Sequence, residues 1–182
     1  MKKLQLIMDS HSLDLSLTRM AHQILEHNGD LGNMCMVGMQ TRGVFLAKRI
    51  AQKIGLLGNV ALDCGILDVT LYRDDYRTAF KQPAVRATDI PFDINKKDVV
   101  LVDDVLFTGR SVRAALDALM DVGRPRTIQL AVLIDRGHRE LPIRADYVGK
   151  KMTTLAKQEV ALKVTEKDGE DSLWLTELEE GD

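Results

Sequence analysis

The run VVLVDDVLFTGRS, residues 99–111, restricts this chain more than any other stretch. Val99, Val100, Leu101 and Val102 form an unbroken apolar block between Asp98 and Asp103, the mark of a strand buried on both faces. Two carboxylates, Asp103 and Asp104, emerge at its carboxyl end, and a short loop with Thr108 and Gly109 opens a helix predicted from Arg110 to Val122. In open α/β sheets, ligands bind at the carboxyl ends of strands. A helix start preceded by glycine and a hydroxyl residue presents backbone N–H groups to an anion, and Gly109 lets the backbone approach a phosphate closely. The carboxylates would repel that phosphate. They suit the hydroxyls of a sugar attached to it, or a divalent cation. The segment therefore describes a sugar phosphate with vicinal hydroxyls. A bare phosphate-binding turn is the plainer reading, and an acidic pair alone would not go beyond it.

The surrounding pattern predicts an α/β fold with a mostly parallel central sheet flanked by helices. Gly123 and Pro125 stop the helix after the motif, and Ile128–Ile134 is a second buried strand, so the pair implies a right-handed parallel crossover. Upstream, Leu13, Leu17, Met20, Ala21, Ile24 and Leu25 fall on one face of a helix, with N-caps in Asp9–Ser12 and a stop at Asn28-Gly29. A strand is predicted over Met34–Met39, a helix from Arg42 to Gly55, and a strand over Val60–Tyr72. Residues 73–88 read as a long polar loop. Near the end, Glu159–Val164 and Leu173–Leu178 alternate around a polar turn, Glu166–Asp171, as a hairpin does.

With 182 residues, 45% hydrophobic and 29% charged, the chain fits one globular domain spanning 1–182 with a real core. Nothing in it resembles a signal peptide, and no apolar run reaches the ~20 residues of a membrane span. A cytoplasmic location without membrane association is the expectation. Cys35 and Cys64 lack metal-ligand spacing and read as reduced core residues. A net charge of -2 argues against a general polyanion binder, though not against a local basic patch doubled by a dimer.

Three further stretches carry chemistry. In GMQTRG, 38–43, Arg42 follows a predicted strand and can bond phosphate oxygens in bidentate fashion. By itself it would read as a surface arginine at a helix start. LYRDD, 71–75, leads into the polar loop, where Arg73, Arg77 and Lys81 could close over a pyrophosphate; a solvated loop is the alternative. LIDRGHRELPIRADYVGK, 133–150, packs Asp135, Arg136, His138, Arg139, Glu140 and Arg144 directly after a buried strand, although such a run is usually a solvated face.

Residues 99–111 resemble the phosphoribosyl-pyrophosphate motif of type I phosphoribosyltransferases. With LTRMAH at 17–22, VGMQTRG at 37–43, LDVTLYRDD at 67–75 and DVGRPRTIQLAVLIDRGHRELPIRADYVGK at 121–150, nearly the whole chain is similar to the pyrimidine operon attenuation regulators that are also uracil phosphoribosyltransferases. Gln40, Phe107, Ser111 and the stretch KMTTLA at 151–156 depart from that pattern. The resemblance implies a type I phosphoribosyltransferase fold with a small hood. It also implies Mg2+-dependent transfer of phosphoribose from 5-phosphoribosyl-1-pyrophosphate to uracil, giving UMP and pyrophosphate, and UMP-stimulated binding to pyrimidine-operon leader RNA.

On that reading, Thr41 and Arg42 hold pyrophosphate. Asp103 and Asp104 hold the ribose hydroxyls directly or through the metal, so Arg42, Asp103 and Asp104 form the catalytic set. Val105, Leu106, Phe107, Thr108, Gly109, Arg110 and Ser111 complete the pocket for substrate or UMP, and Arg136 and the backbone at Val148 face uracil. Leader RNA would meet Thr18, Arg19 and His22 on the polar face of the first helix, with Arg139 and Arg144. A homo-oligomer, dimer or higher, would present that surface more than once. An enzyme without an RNA role, a regulator with vestigial catalysis and a purine phosphoribosyltransferase are the alternatives; the 121–150 string argues against the last.

Overall fold

The computed structural model describes residues 2–72, 88–155 and 157–177. Its elements run β1 (Lys2–Met8), α1 (Ser10–His27), β2 (Met34–Met39), α2 (Arg42–Gly58), β3 (Asp63–Leu67), β4 (Asp98–Leu106), α3 (Arg110–Val122), β5 (Thr127–Asp135), β6 (Tyr147–Lys151), β7 (Gln158–Lys163), the one-turn helix α4 (Thr165–Asp168) and β8 (Ser172–Glu177). Five strands form a parallel sheet in the order β3-β2-β4-β5-β6. A small antiparallel sheet, β1-β8-β7, forms the hood. This is the expected type I phosphoribosyltransferase architecture.

Local chemistry sets the helix ends. The Asp9 carboxylate accepts the Ser12 N–H at 2.8 Å and caps α1. Leu13, Leu17, Met20, Ala21 and Ile24 are buried at three- and four-residue spacing, as read. β4 alternates with period two: Val100 and Val102 face the core under α1 and α2, while Val99 and Leu101 face the core under α3. Cys35 is buried and Cys64 half-buried, both as free thiols, and burial pushes the Cys35 thiol up to about 11. No helix among the described residues is long and apolar enough to cross a membrane.

The structure departs from the sequence reading in five places. α2 does not stop at Gly55 but continues to Gly58 and ends on left-handed Asn59. Gly55 is there for close approach, because a Cβ would lie 2.7 Å from the Val60 carbonyl oxygen of the returning chain. The extended run foreseen over Val60–Tyr72 pairs only at Asp63–Leu67, and Thr70–Tyr72 coils into a 3-10 turn. β4 runs on past Val102 to Leu106, because β5 continues to pair with it up to Leu106↔Asp135. β6 gave no strand signal, being a short edge strand that closes on Gly149-Lys150-Lys151. β1 gave none either. Lys2–Leu6 are exposed with no buried alternation, and pairing with β8 holds them, helped by Lys3 Nζ lying 4.2 Å from the Trp174 ring centroid.

One contact locks the helix layer to the sheet. At Gly43, in the first turn of α2, a Cβ would meet the Val102 carbonyl oxygen at 2.5 Å and the Asp103 Cα at 3.1 Å. Only a glycine allows this approach. Gly43→Ala should therefore destabilise the fold by about 1–3 kcal/mol, the usual cost of overpacking. Gly29→Ala, where a Cβ meets nothing within 4 Å, should stay within ~0.5 kcal/mol. Denaturant unfolding of both variants checks this.

Charge adds to the buried apolar side chains Leu162, Val164 and Leu173 in holding the hood on α2. Arg49 donates to Glu166 (2.8 and 2.6 Å) and to Asp171 (2.9 and 2.8 Å). Arg49 holds the Glu166 carboxyl below its ordinary range. Burial raises Asp171, but Arg49 and the Thr165 amide outweigh it and hold that carboxyl low too. Carboxyls lowered in the folded state contribute stability that is fully present above their unfolded values, about 4, and is lost as pH falls through the folded values. Denaturant midpoints should fall between pH 6 and pH 3, and the fall should be smaller in Arg49→Met.

Candidate active site

The sheet order places the site. From β2 the chain passes through α2 to β3 on one side, and from β4 through α3 to β5 on the other. α2 packs on one face and α3 on the opposite face, so the loops after β2 and β4 diverge and leave a crevice at their carboxyl ends. β2 pairs with β4 only as far as Gly38↔Val102. Beyond that point Asp103 and Asp104 have β5 on one flank alone, and both are half-buried. One oxygen of each is used locally: Asp103 Oδ1 accepts the Asp104 N–H and Asp104 Oδ1 accepts the Val105 N–H, both at 2.9 Å.

The loop that follows turns through Gly109, whose φ of 94° suits glycine, directly into α3. Gly109 provides no side chain to cap the first amides of α3. Residues Val105–Val112 line a cleft of about 300 Å3 there. The loop is braced from outside, since Glu140 and Leu141 donate their N–H groups to the Thr108 carbonyl at 3.0 and 3.2 Å. Half-buried Thr108 and Ser111 border the same cleft, Arg110 is exposed and pairs with Glu140 at 2.6 Å, and Leu106 is buried.

The second loop, Gln40–Thr41, is tied to the end of β3 by Gln40 N–H donating to the Leu67 carbonyl at 2.9 Å. Arg42 begins α2 and reaches the hood. Its Nε and Nη2 donate to Asp168 at 3.3 and 3.0 Å. This partner is 126 residues away in sequence, and the Glu166–Asp171 segment had been read only as a polar turn. Two arginines seven apart on one helix, and four acidic residues within six, were the signal available.

Arg136 is buried, with its guanidinium carbon 4.0 Å from the Phe107 ring centroid. It donates to Thr154 Oγ1 at 3.1 Å and to the Gln158 carbonyl at the start of β7. Burial lowers its pKa, and the charge of Glu159 opposes that shift. His138, at a φ of 54°, places Nε2 2.8 Å from the Thr154 carbonyl and its ring edge-on to Phe107 at 5.8 Å. Arg136, Phe107 and Thr154 thus form one packed group between the β4 loop and the hood, with exposed His138 on its rim. Thr154 was not singled out from the sequence, where it sits in the divergent KMTTLA stretch.

Other expected residues lie elsewhere. Val148 is the second residue of β6, paired with Val132 and packed on the α3-side core rather than at the carboxyl edge. Arg139, expected on an RNA surface, is turned inward: it donates to the carbonyls of Phe107, Gly137 and Ile143 at 2.6–3.0 Å and to Asp135 at 2.6 Å. Thr18 does not face out freely, since its hydroxyl donates to the Asp14 carbonyl and accepts from Lys53, each at 2.9 Å. Arg19 and His22 are exposed, although Arg19 also donates to the Gly149 carbonyl across the helix–sheet boundary. Arg144 is exposed on a cleft of about 540 Å3 beside β6, with Lys151 on the same wall. Arg73, Arg77 and Lys81 lie outside the described residues.

Asp103 and Asp104 are hard oxygen donors, and no cluster of three or more ligating side chains exists among the described residues. A pair of carboxylates suits Mg2+ that keeps water and substrate oxygens in its shell, which is how that ion usually binds.

Comparison with known proteins shows the family. The model of the phosphoribosyl transferase domain matches residues 7–167. The Bifunctional protein PyrR of Pelotomaculum thermopropionicum is 55% identical over 174 residues, 96% of each chain. That of Caldicellulosiruptor bescii is 55% identical over 179 residues, 98% of each chain. A hypoxanthine phosphoribosyltransferase of Trypanosoma cruzi shares the fold at a TM-score of 0.74 and 15% identity, covering 97% of this chain and 98% of that one. With the domain matched across the crevice and relatives this similar over nearly their whole length, the chain belongs to the PyrR family of phosphoribosyl transferase domain proteins.

Proposed function

We propose that this protein transfers phosphoribose from 5-phosphoribosyl-1-pyrophosphate to uracil, and regulates pyrimidine genes by UMP-dependent binding of leader RNA in the cytoplasm. One observation carries the enzymatic half. The acidic end of β4, the glycine-led start of α3 and the Arg42 loop all open on the crevice where the strand order of the parallel sheet reverses.

The chemistry follows from what each group favours. The 5-phosphate lies against the first amides of α3, where the helix dipole and Gly109 admit an anion, flanked by Thr108 and Ser111. Asp103 and Asp104 take the ribose hydroxyls. Arg42 and the backbone at Thr41 take pyrophosphate. As the bond from the anomeric carbon to pyrophosphate breaks, positive charge on the ribose faces two carboxylates and negative charge on the leaving group faces a guanidinium. Bound Mg2+ would supply further neutralisation of the leaving group. Uracil N1 closes the new bond as pyrophosphate leaves with the old bonding pair, and the N1 proton passes to the departing pyrophosphate or to water, so no covalent nucleophile is required. Arg136 and Phe107 border the base, and holding N1 against the anomeric carbon removes much of the entropic barrier.

Asp104→Asn is nearly isosteric and keeps an oxygen for the Val105 amide. It should retain the wild-type melting point yet lower uracil-dependent pyrophosphate release at least ~100-fold, the scale of losing one electrostatic contact at a transition state. A folded variant with near-native turnover would remove Asp104 from the mechanism.

The regulatory half rests on family membership together with the exposed groups His22, Arg19 and Arg144. Single-stranded RNA recognition needs such groups to reach phosphates and splayed bases. A homo-oligomer would repeat this surface and offset the acidic net charge. Arg144→Gln should weaken leader-RNA binding and flatten its salt dependence by about one unit of slope, while uracil phosphoribosyltransferase activity stays intact. Filter binding across a salt series with UMP present measures this; no RNA binding by the wild type would leave the enzymatic half standing alone.

A further inference from the structure

Arg42 and Arg49 sit two helical turns apart on one face of α2, and both meet the β7–β8 turn of the hood. Their pairings differ in kind. Arg49 is gripped by two carboxylates through four hydrogen bonds. Arg42 has one carboxylate, Asp168, against one edge of its fork, with side-chain exposures of 30% and 17%. Those donors, Nε and Nη2, form one of the two edges on which a guanidinium takes a phosphate in two-point geometry. Asp168 is itself held, because Oδ2 accepts the Val164 N–H at 2.9 Å within the one-turn helix.

We propose that Asp168 is a positioning residue for the pyrophosphate clamp: it holds the Arg42 guanidinium until pyrophosphate displaces it, and UMP leaves the pair intact. The proposal rests on the reading of Arg42 as the pyrophosphate ligand. A pyrophosphate that takes the Nε–Nη2 edge of Arg42 must separate it from Asp168, whereas one on the Nη1–Nη2 edge, the arrangement by which Arg49 holds two carboxylates, would leave the pair in place; the Asp168→Asn titration distinguishes the two. Arg49 keeps the hood docked meanwhile, which confines the exchange to one ion pair. The partial exposure of the pair keeps the cost of exchange small, as for other solvent-reached ion pairs. The return of Asp168 to Arg42 after transfer replaces pyrophosphate and drives its release. UMP has a 5-phosphate but no pyrophosphate, so the two ligands of one crevice leave the hood contact in different states.

Asp168→Asn removes the charge and keeps an oxygen for the Val164 amide. Magnesium pyrophosphate and UMP are titrated separately into the full-length wild type, Asp168→Asn and Arg42→Lys. Asp168→Asn should bind pyrophosphate about two- to five-fold more tightly, the worth of a partly exposed ion pair. UMP affinity should be unchanged, and product inhibition by pyrophosphate should strengthen in the same proportion. Unchanged or weaker pyrophosphate binding by folded Asp168→Asn overturns the proposal. Arg42→Lys separates the two levels of the argument. If it fails to weaken pyrophosphate, Arg42 is not at that subsite and both readings fall; if it does weaken pyrophosphate while Asp168→Asn has no effect, only the exchange is lost. Hydrogen exchange on the wild type gives a readout without substitution. Deuterium uptake across Val164–Asp168 should rise with magnesium pyrophosphate and not with UMP, and an equal response to both, or to neither, counts against the exchange.

Discussion

The Val102 carbonyl lies where any side chain on residue 43 would have to be. That contact sets the spacing between α2 and the sheet, and through it the relation of the two loops that frame the crevice. The loop after β2 leads straight into α2, while β4 carries its carboxylates just beyond the same carbonyl. A helix held even an ångström further out would separate Arg42 from the end of β4. Positioning on this scale governs catalysis by electrostatic clamping, because donors must lie within hydrogen-bond reach of charge that exists only in passing.

The hood combines a little packing with charge. Its sheet has only three strands, and β1 is exposed along most of its length. It contributes a few residues such as Leu162, Val164 and Leu173 to the core. Arg49 adds two carboxylates at one guanidinium, a geometry that Arg makes well and Lys does not. The result is a small layer attached by two arginines of one helix, Arg49 through two carboxylates and Arg42 through one.

The packed group around Phe107 joins three segments that are remote in sequence. Arg136 follows β5, Thr154 follows β6, and Phe107 follows β4. A buried guanidinium is costly unless its donors are met. Here a ring face, a hydroxyl and a main-chain carbonyl meet them. The departure at Phe107 therefore falls on the residue that supports Arg136 rather than on a passive pocket wall.

What the sequence by itself determined is what depends on neighbours along the chain. The apolar run at 99–102, the periodic face of α1, the glycine before α3 and the acidic pair after a buried strand all follow from spacing, and each lies where spacing put it. Where the reading failed, a distant segment decided. Gly55 reads as a helix stop, yet it is the place where Val60 passes; β4 outruns its apolar block because β5 keeps pairing with it. Arg139 and Arg144 stand five apart in one polar run, and nothing local distinguishes the inward brace from the exposed cation. Only the tertiary structure assigned Asp168 to Arg42 and Glu166 with Asp171 to Arg49, because a charge pairs with whatever the fold brings within about 4 Å, and that distance carries no trace in sequence separation.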